Sequence, residues 1–107
     1  MSFHGARYIE IHVPCPLGWG SKPGDTIKIA RLAVESGLYP LFEAEHGDIT
    51  GVTKIRNVQP ASEYLRLQRR FAHVFKKGNE HQLDALQAVA DRNIKRFNLL
   101  SRGDDEA

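Results

Sequence analysis

The sequence predicts an α+β chain, and three observations carry that expectation. Apolar and polar residues alternate from Tyr8 to Val13, the period of two that belongs to a strand. Two further extended runs flank His46-Gly47-Asp48, which reads as the turn of a β-hairpin. From Thr26 to Ser36, Ala61 to Lys76 and Glu80 to Leu100, apolar residues instead recur every three or four positions, which puts them on one side of a helix.

The elements follow in order. On the first strand, Ile9, Ile11 and Val13 face one way and Tyr8, Glu10 and His12 the other. Pro14 ends it, because proline has no N–H to give a sheet ladder. Cys15 then lies between Pro14 and Pro16, which restrict the backbone and aim the thiol. Leu17 to Gly24 is rich enough in glycine and proline to read as a loop. Asp25 is the expected N-cap of a helix from Thr26 to about Ser36, with Ile27, Ala30, Ala33, Val34 and Gly37 on one face. Lys28, Arg31 and Glu35 take the other side, and Gly37 suits the left-handed position that closes a helix.

Leu38–Glu45 and Ile49–Ile55 are the expected strands of the hairpin. Pro60 suits the first position of a helix running from Ala61 to about Lys76, with Tyr64, Leu67, Phe71, Val74 and Phe75 as its apolar stripe. Gly78 stops that helix. Asn79 and Gln82 are spaced as a capping box for a last helix, whose seam is Leu83, Leu86, Ala90, Ile94 and Phe97. Two amphipathic helices joined so tightly are expected to form a helical hairpin or to pack on a neighbour. Ser101 to Ala107 is polar and acidic, and is expected to fray.

With 107 residues, the chain is expected to be one domain or a piece of one. Its 41% hydrophobic content suffices for a modest core. A net charge of +2 is too small to imply a polyanionic partner. The single cysteine excludes an internal disulfide framework and fits a reducing cytoplasm. No stretch approaches the roughly 18 apolar residues of a membrane span, and the N-terminus lacks the charged and apolar regions of a signal peptide. A soluble, cytoplasmic protein is the expectation.

Cys15 is the leading candidate for chemistry, although a buried, inert thiol is an ordinary fate for cysteine and stays open on the residues alone. Glu43 and Glu45 share a strand face and are expected to be solvated. His12 stands three residues before Cys15, but strand geometry and Pro14 argue against a shared metal site. Arg66, Arg69, Arg70, His73, Lys76 and Lys77 are uninterrupted by acid between Glu63 and Glu80. At helical spacing Arg66, Arg69, Arg70, His73 and Lys77 can form a connected basic patch that could grip phosphate backbone. A solvated or subunit-pairing face is the plainer reading, because the nearby aromatic residues belong to the apolar stripe.

Several motifs, in order, point further. Pro14-Cys15-Pro16-Leu17-Gly18-Trp19 is followed by Thr26-Ile27, Ile29-Ala30, Leu32-Ala33-Val34-Glu35 and Gly37. Then come Pro40-Leu41-Phe42-Glu43 with Gly47, and Tyr64-Leu65, Leu67-Gln68 and Arg70-Phe71. Together they resemble the C-terminal region of the β subunit of 2-oxoacid:ferredoxin oxidoreductases, nearest to the pyruvate type, over roughly Ala6 to Val74. The resemblance implies that residues 1–58 form the C-terminal edge of a thiamine-diphosphate-binding α/β domain, its last strand and helix plus the hairpin. Residues 59–107 would be a helical extension used in subunit packing. It implies that Cys15 is the fourth thiolate ligand of a 4Fe-4S cluster in the intact enzyme, with Pro14, Pro16 and Gly18 shaping its loop. Trp19 would cover that loop or plug a subunit contact.

The departures are equally informative. The other three cluster ligands, a Cys-x-x-Cys pair and one further cysteine, are missing from this chain. So is the Gly-Asp-Gly plus Asn pattern with which the family holds magnesium and thiamine diphosphate. A piece of a β subunit is therefore expected, binding neither cofactor alone. It would depend on other subunits or the rest of the oxidoreductase, would reach ferredoxin only indirectly, and would tend to self-associate through its unpaired first strand. Two readings from other classes stand beside it: a stand-alone protein-interaction module built on the helical hairpin, and a weak nucleic-acid binder using the basic helix.

Overall fold

Apolar side chains from four separate stretches converge on one cluster, and the elements of the chain are arranged around it. The protein is seen here as a computed structural model that describes residues 5–100. In chain order its elements are a one-turn helix α1 (Pro16–Trp19), a 3₁₀ turn (Pro23–Asp25), α2 (Thr26–Glu35), β1 (Phe42–Glu45), β2 (Asp48–Val52), α3 (Ala61–Arg66), a 3₁₀ segment (Arg69–Phe75) and α4 (Glu80–Arg96). The α+β expectation holds. The expected frayed tail, 101–107, lies outside the described residues. No helix among the described residues is long and apolar enough to cross a membrane.

The central cluster combines Ile29, Leu32 and Ala33 of α2 with Tyr64, Leu65 and Val74, so it draws on both sides of residue 58. Trp19, Leu38, Tyr39, Leu67, Phe71, Phe75, Leu83 and Leu86 pack around it. The face of α2 is turned from the one expected: Ala33 and Gly37 are buried and Ala30 and Val34 half-buried, but Ile29, Leu32 and Ser36 are buried with them, whereas Ile27 is 74% exposed. Two apolar stripes overlap on this helix, and its contact with α3 selects between them. Gly37 adopts the left-handed conformation, at φ 87. It touches α4 so closely that a Cβ there would sit 2.6 Å from Cγ1 of Ile94. Its carbonyl accepts a hydrogen bond of 3.0 Å from Nδ2 of Asn93.

The strand expected over Tyr8–Val13 is not a strand: among the described residues it joins no sheet, and its apolar side chains are largely exposed. A strand needs a ladder partner, and the described residues offer none to that segment. The hairpin does form. β1 pairs antiparallel with β2, Phe42 opposite Val52 and Glu45 opposite Asp48, with an irregularity between Glu43 and Ala44. His46 and Gly47 both have positive φ, 53 and 85, as a two-residue type I′ turn requires. The ring of Phe42 stacks on Phe97 at 5.0 Å. The N–H of Ile55 donates to the Leu99 carbonyl, which ties the end of the hairpin to the chain beyond α4.

The single helix expected from Ala61 to Lys76 is two pieces. Its i→i−4 ladder fails at one point. The side-chain Nε2 of Gln68 donates to the Tyr64 carbonyl at 2.8 Å, taking the acceptor that its own backbone N–H would use in a continued α-helix. The next N–H, of Arg69, turns away to the Gly20 carbonyl at 3.0 Å. Tighter 3₁₀ geometry follows. The two-helix arm therefore survives as α3 and α4 in contact, with the 3₁₀ segment between them. Oε1 of Gln87 on α4 accepts from the N–H of Ala61, satisfying one of the free amides that open α3.

The expected capping box at Asn79 is absent. Its side chain makes no cap bond to α4 and instead donates to the His73 carbonyl at 2.6 Å. The seam of α4 lies as expected, with Ala90 buried and Leu83, Leu86, Ile94 and Phe97 half-buried. The helix stops at Arg96, short of Leu100, in a Schellman turn. Asn98 takes the left-handed conformation, and the N–H groups of Asn98 and Leu99 bond to the carbonyls of Lys95 and Ile94.

Candidate functional site

The segment that was expected to be an irregular loop after Cys15 contains a turn of helix. Cys15 occupies the N-cap of α1 in an extended conformation, and Pro16 fills the first helical position, where its missing N–H costs nothing. The Cys15 carbonyl accepts from the N–H of Trp19 at 2.9 Å. Sγ of Cys15 accepts from the N–H of Gly18 at 3.4 Å. Gly20, at φ 68, closes the turn. The thiol itself is exposed. This pattern of Pro-Cys-Pro and two glycines thus leaves an exposed thiol on a defined backbone, with a backbone donor directed at the sulfur.

Trp19 is half-buried against the core. The Arg70 guanidinium lies 3.9 Å from the centre of its ring, and the His12 ring lies 5.3 Å from it. Arg70 also lies 4.6 Å from the centre of the Phe71 ring. Its Nε donates to Oε1 of Gln68 at 2.8 Å.

His12 sits among rings: Tyr39 at 4.5 Å and Tyr64 at 6.3 Å between centroids. Its Nε2 is 3.4 Å from the Tyr64 hydroxyl. Burial holds the imidazole below its usual pKa, the Arg70 charge adds to that, and Glu10 partly offsets it. The packing of its ring on Trp19, Tyr39 and Tyr64 makes His12 the anchor of the N-terminal segment. Among the described residues no group of three or more His, Cys, Asp and Glu side chains is placed to hold a metal ion.

Glu43 and Glu45 are exposed, as expected of a solvated hairpin face. The basic run does not lie on one helix. Arg66 covers the Phe75 ring at 5.0 Å and Arg70 covers Trp19 and Phe71, so aromatic residues do lie beside these cations. Both guanidinium groups are thus engaged with the protein's own rings. The sequence placed Gln68 only within a family motif, with no role of its own, and Tyr39 was passed over. A glutamine that interrupts an apolar stripe, as Gln68 does between Leu67 and Phe71, was the available signal for the first.

No family model matches the chain. Comparison with known proteins places it beside subunits of pyruvate synthase and of ketoisovalerate oxidoreductase. In particular, it resembles the C-terminal region of the pyruvate synthase β subunit. It is 49% identical to subunit PorB of pyruvate synthase from Methanosarcina barkeri over 96 residues, covering 89% of this chain and 32% of that protein. Against PorB of Methanocaldococcus jannaschii the identity is 35% over 99 residues, covering 92% of this chain and 32% of that protein. Subunit VorB of the Pyrococcus abyssi ketoisovalerate oxidoreductase is 40% identical over 78 residues, covering 71% of this chain and 25% of that protein. The chain thus spans about a third or less of the length of these curated relatives.

Proposed function

We propose that this chain forms the C-terminal portion of the β subunit of a pyruvate-type 2-oxoacid:ferredoxin oxidoreductase, in which Cys15 supplies one thiolate ligand to a 4Fe-4S electron-transfer cluster. The observation that carries the reading is the exposed Cys15 thiol, held at the head of α1 within a chain similar to pyruvate synthase PorB. The donor chemistry fits one ligand position. Clusters of this kind are held by cysteine thiolates, and hydrogen bonds to the sulfurs help to set their potentials. The Gly18 N–H stands ready to make such a bond. When bound, the cluster supplies one-electron transfer. The other three thiolates must come from outside this chain, which has a single cysteine.

The residues present do not fit thiamine diphosphate and magnesium, since the Gly-Asp-Gly plus Asn pattern is missing. In this reading both cofactors belong to the intact enzyme, and the chain's own contribution is the fourth ligand and its setting. Residues 1–58 would serve as the edge of the thiamine-binding domain and 59–107 as its helical extension. Ile9, Ile11 and Val13, exposed here, would be covered by the remainder of the enzyme, and in isolation would promote self-association. Ferredoxin would be reached only through the assembled enzyme. A reducing cytoplasm suits a free, metal-ligating thiol.

The test is anaerobic assembly of the chain with the remaining parts of the oxidoreductase, followed by iron analysis and visible absorption. Iron and broad visible absorption should appear on assembly and be lost or strongly altered in Cys15→Ala. Unchanged iron and an unchanged spectrum in that variant would overturn the ligand assignment.

A further inference from the structure

A helix of four residues cannot hold itself together, because one turn fixes several dihedrals in return for a single hydrogen bond. Something outside α1 must hold the turn that aims Cys15. The structure provides it from about fifty residues downstream, at the break between α3 and the 3₁₀ segment.

We propose that Arg70, oriented by Gln68, is a positioning residue for Cys15. Its guanidinium clamps the Trp19 ring and so fixes the turn that begins at the cysteine. The inference rests on the reading of Cys15 as a cluster ligand for its functional meaning, whereas the clamp itself stands on geometry.

That geometry forms a continuous chain from core to thiol. Gln68 is only 1% exposed, and both ends of its amide are engaged. Nε2 donates to the Tyr64 carbonyl at 2.8 Å and Oε1 accepts from Nε of Arg70 at 2.8 Å. A long arginine side chain would otherwise sample many rotamers; here a buried amide selects one. The guanidinium then lies close to the rings of both Trp19 and Phe71. Trp19 closes α1 by donating its N–H to the Cys15 carbonyl. A second fastening runs in parallel, since the N–H of Arg69 donates to the carbonyl of Gly20. The two backbones approach so closely there that a Cβ on Gly20 would lie 2.5 Å from Cβ of Arg69. Gln68 breaks the helix, Arg69 docks the loop and Arg70 clamps its tryptophan. Three consecutive residues thereby locate the thiol.

Arginine suits the task better than lysine, because a planar guanidinium stacks on a ring and presents Nε to an acceptor at once. Cation–π contacts of this type shift a local equilibrium by about tenfold. Residue-resolved hydrogen exchange on the full chain reads this directly. In Arg70→Met, the amides of Trp19 and Arg69 should exchange about tenfold faster, while the Phe97 amide at the C-cap of α4, bonded to the Asn93 carbonyl, should be unaffected. Trp19 fluorescence should move to the red, and Arg70→Lys should fall between Met and wild type. Trp19→Leu, which removes the ring from the other side, should speed the Arg69 amide equally and serves if Arg70→Met does not fold. Unchanged exchange at Trp19 and Arg69 would overturn the clamp. So would an equal acceleration that includes Phe97, since the role would then be general stability.

In the assembled enzyme, Arg70→Met should keep its iron but alter the paramagnetic resonance signal of the reduced cluster. An unchanged signal would overturn the positioning of the thiol. Should Cys15→Ala keep its iron as well, the ligand reading fails, while the clamp is judged on the exchange data alone.

Discussion

The helical body and the N-terminal segment treat their apolar residues in opposite ways. Ile29 of α2 is fully buried, whereas Ile11, with the same side chain, is 77% exposed. Around Ile29 the chain brings together α2, α3, the 3₁₀ segment and α4. Around Ile11, among the described residues, the apolar side is left largely exposed, as it is at Ile9 and Val13. Yet one residue of that segment is well anchored: His12, on the opposite face, packs on Tyr39, Tyr64 and Trp19. The segment is thus docked by its polar face, and its apolar face is left outward. A half-satisfied period-two pattern teaches that alternation reports a surface intended for burial, without saying which chain does the burying.

Truncation inside the body should break that comparison most sharply. Leu65→Ala should cost about 3 kcal/mol in denaturant unfolding, the usual loss for a fully buried leucine, because Leu65 lies within the central cluster. Ile11→Ala should change stability by less than about 0.5 kcal/mol. An equal loss at the two positions would show that the N-terminal segment is buried in solution, by self-association or by a different docking.

Next in size is Gly37→Ala. The left-handed backbone alone penalises any side chain by about 1–2 kcal/mol, and here a Cβ would also press on Ile94. Thermal unfolding should fall accordingly, and Ile94→Ala should partly restore it in the double variant. Independence of the two substitutions would mean that α2 and α4 do not meet at this point.

A smaller effect sharpens the comparison from the other side. Ile9→Ser with Ile11→Ser should leave unfolding unchanged and reduce self-association in sedimentation at tens of micromolar, if the exposed strip is the adhesive surface. The smallest expected effect is one of pH. His12 has a folded-state pKa below that of a free imidazole, so the unfolded or undocked state binds protons more readily. The stability contributed by its docking is therefore complete above about pH 6.5 and is lost as pH falls from there through the folded-state value. Trp19 fluorescence should follow that loss, and His12→Phe should abolish its pH dependence while keeping the ring packing.

Much of the fold was legible. The hairpin at His46-Gly47, the extent of α2, the left-handed Gly37 and the seam of α4 each rest on local rules of turn chemistry or periodicity, and each is found. Cys15 was legible as the candidate residue because two prolines and a glycine frame it. Its one-turn helix was not, because a proline- and glycine-rich stretch reads as a loop until one sees what holds it. The break after Arg66 was hidden for a related reason. Residues 61–76 carry a continuous helical pattern, and only a side-chain amide competing for the Tyr64 carbonyl, together with Gly20 waiting for the Arg69 N–H, interrupts it.

By itself, then, the sequence determined much of what depends on neighbours in the chain: the class of fold, the places of α2, α4 and the hairpin, and the cysteine framed by its flanking prolines. The tertiary structure decided what depends on competition between partners distant in sequence. It chose between two apolar stripes on α2, turned Arg66 and Arg70 onto aromatic rings, and tied the Cys15 turn to Gln68, Arg69 and Arg70. Local propensity is a short-range preference of a few tenths to about 1 kcal/mol per residue. A buried hydrogen bond or a packed ring from elsewhere in the chain is worth as much or more, and overrides it wherever the two disagree.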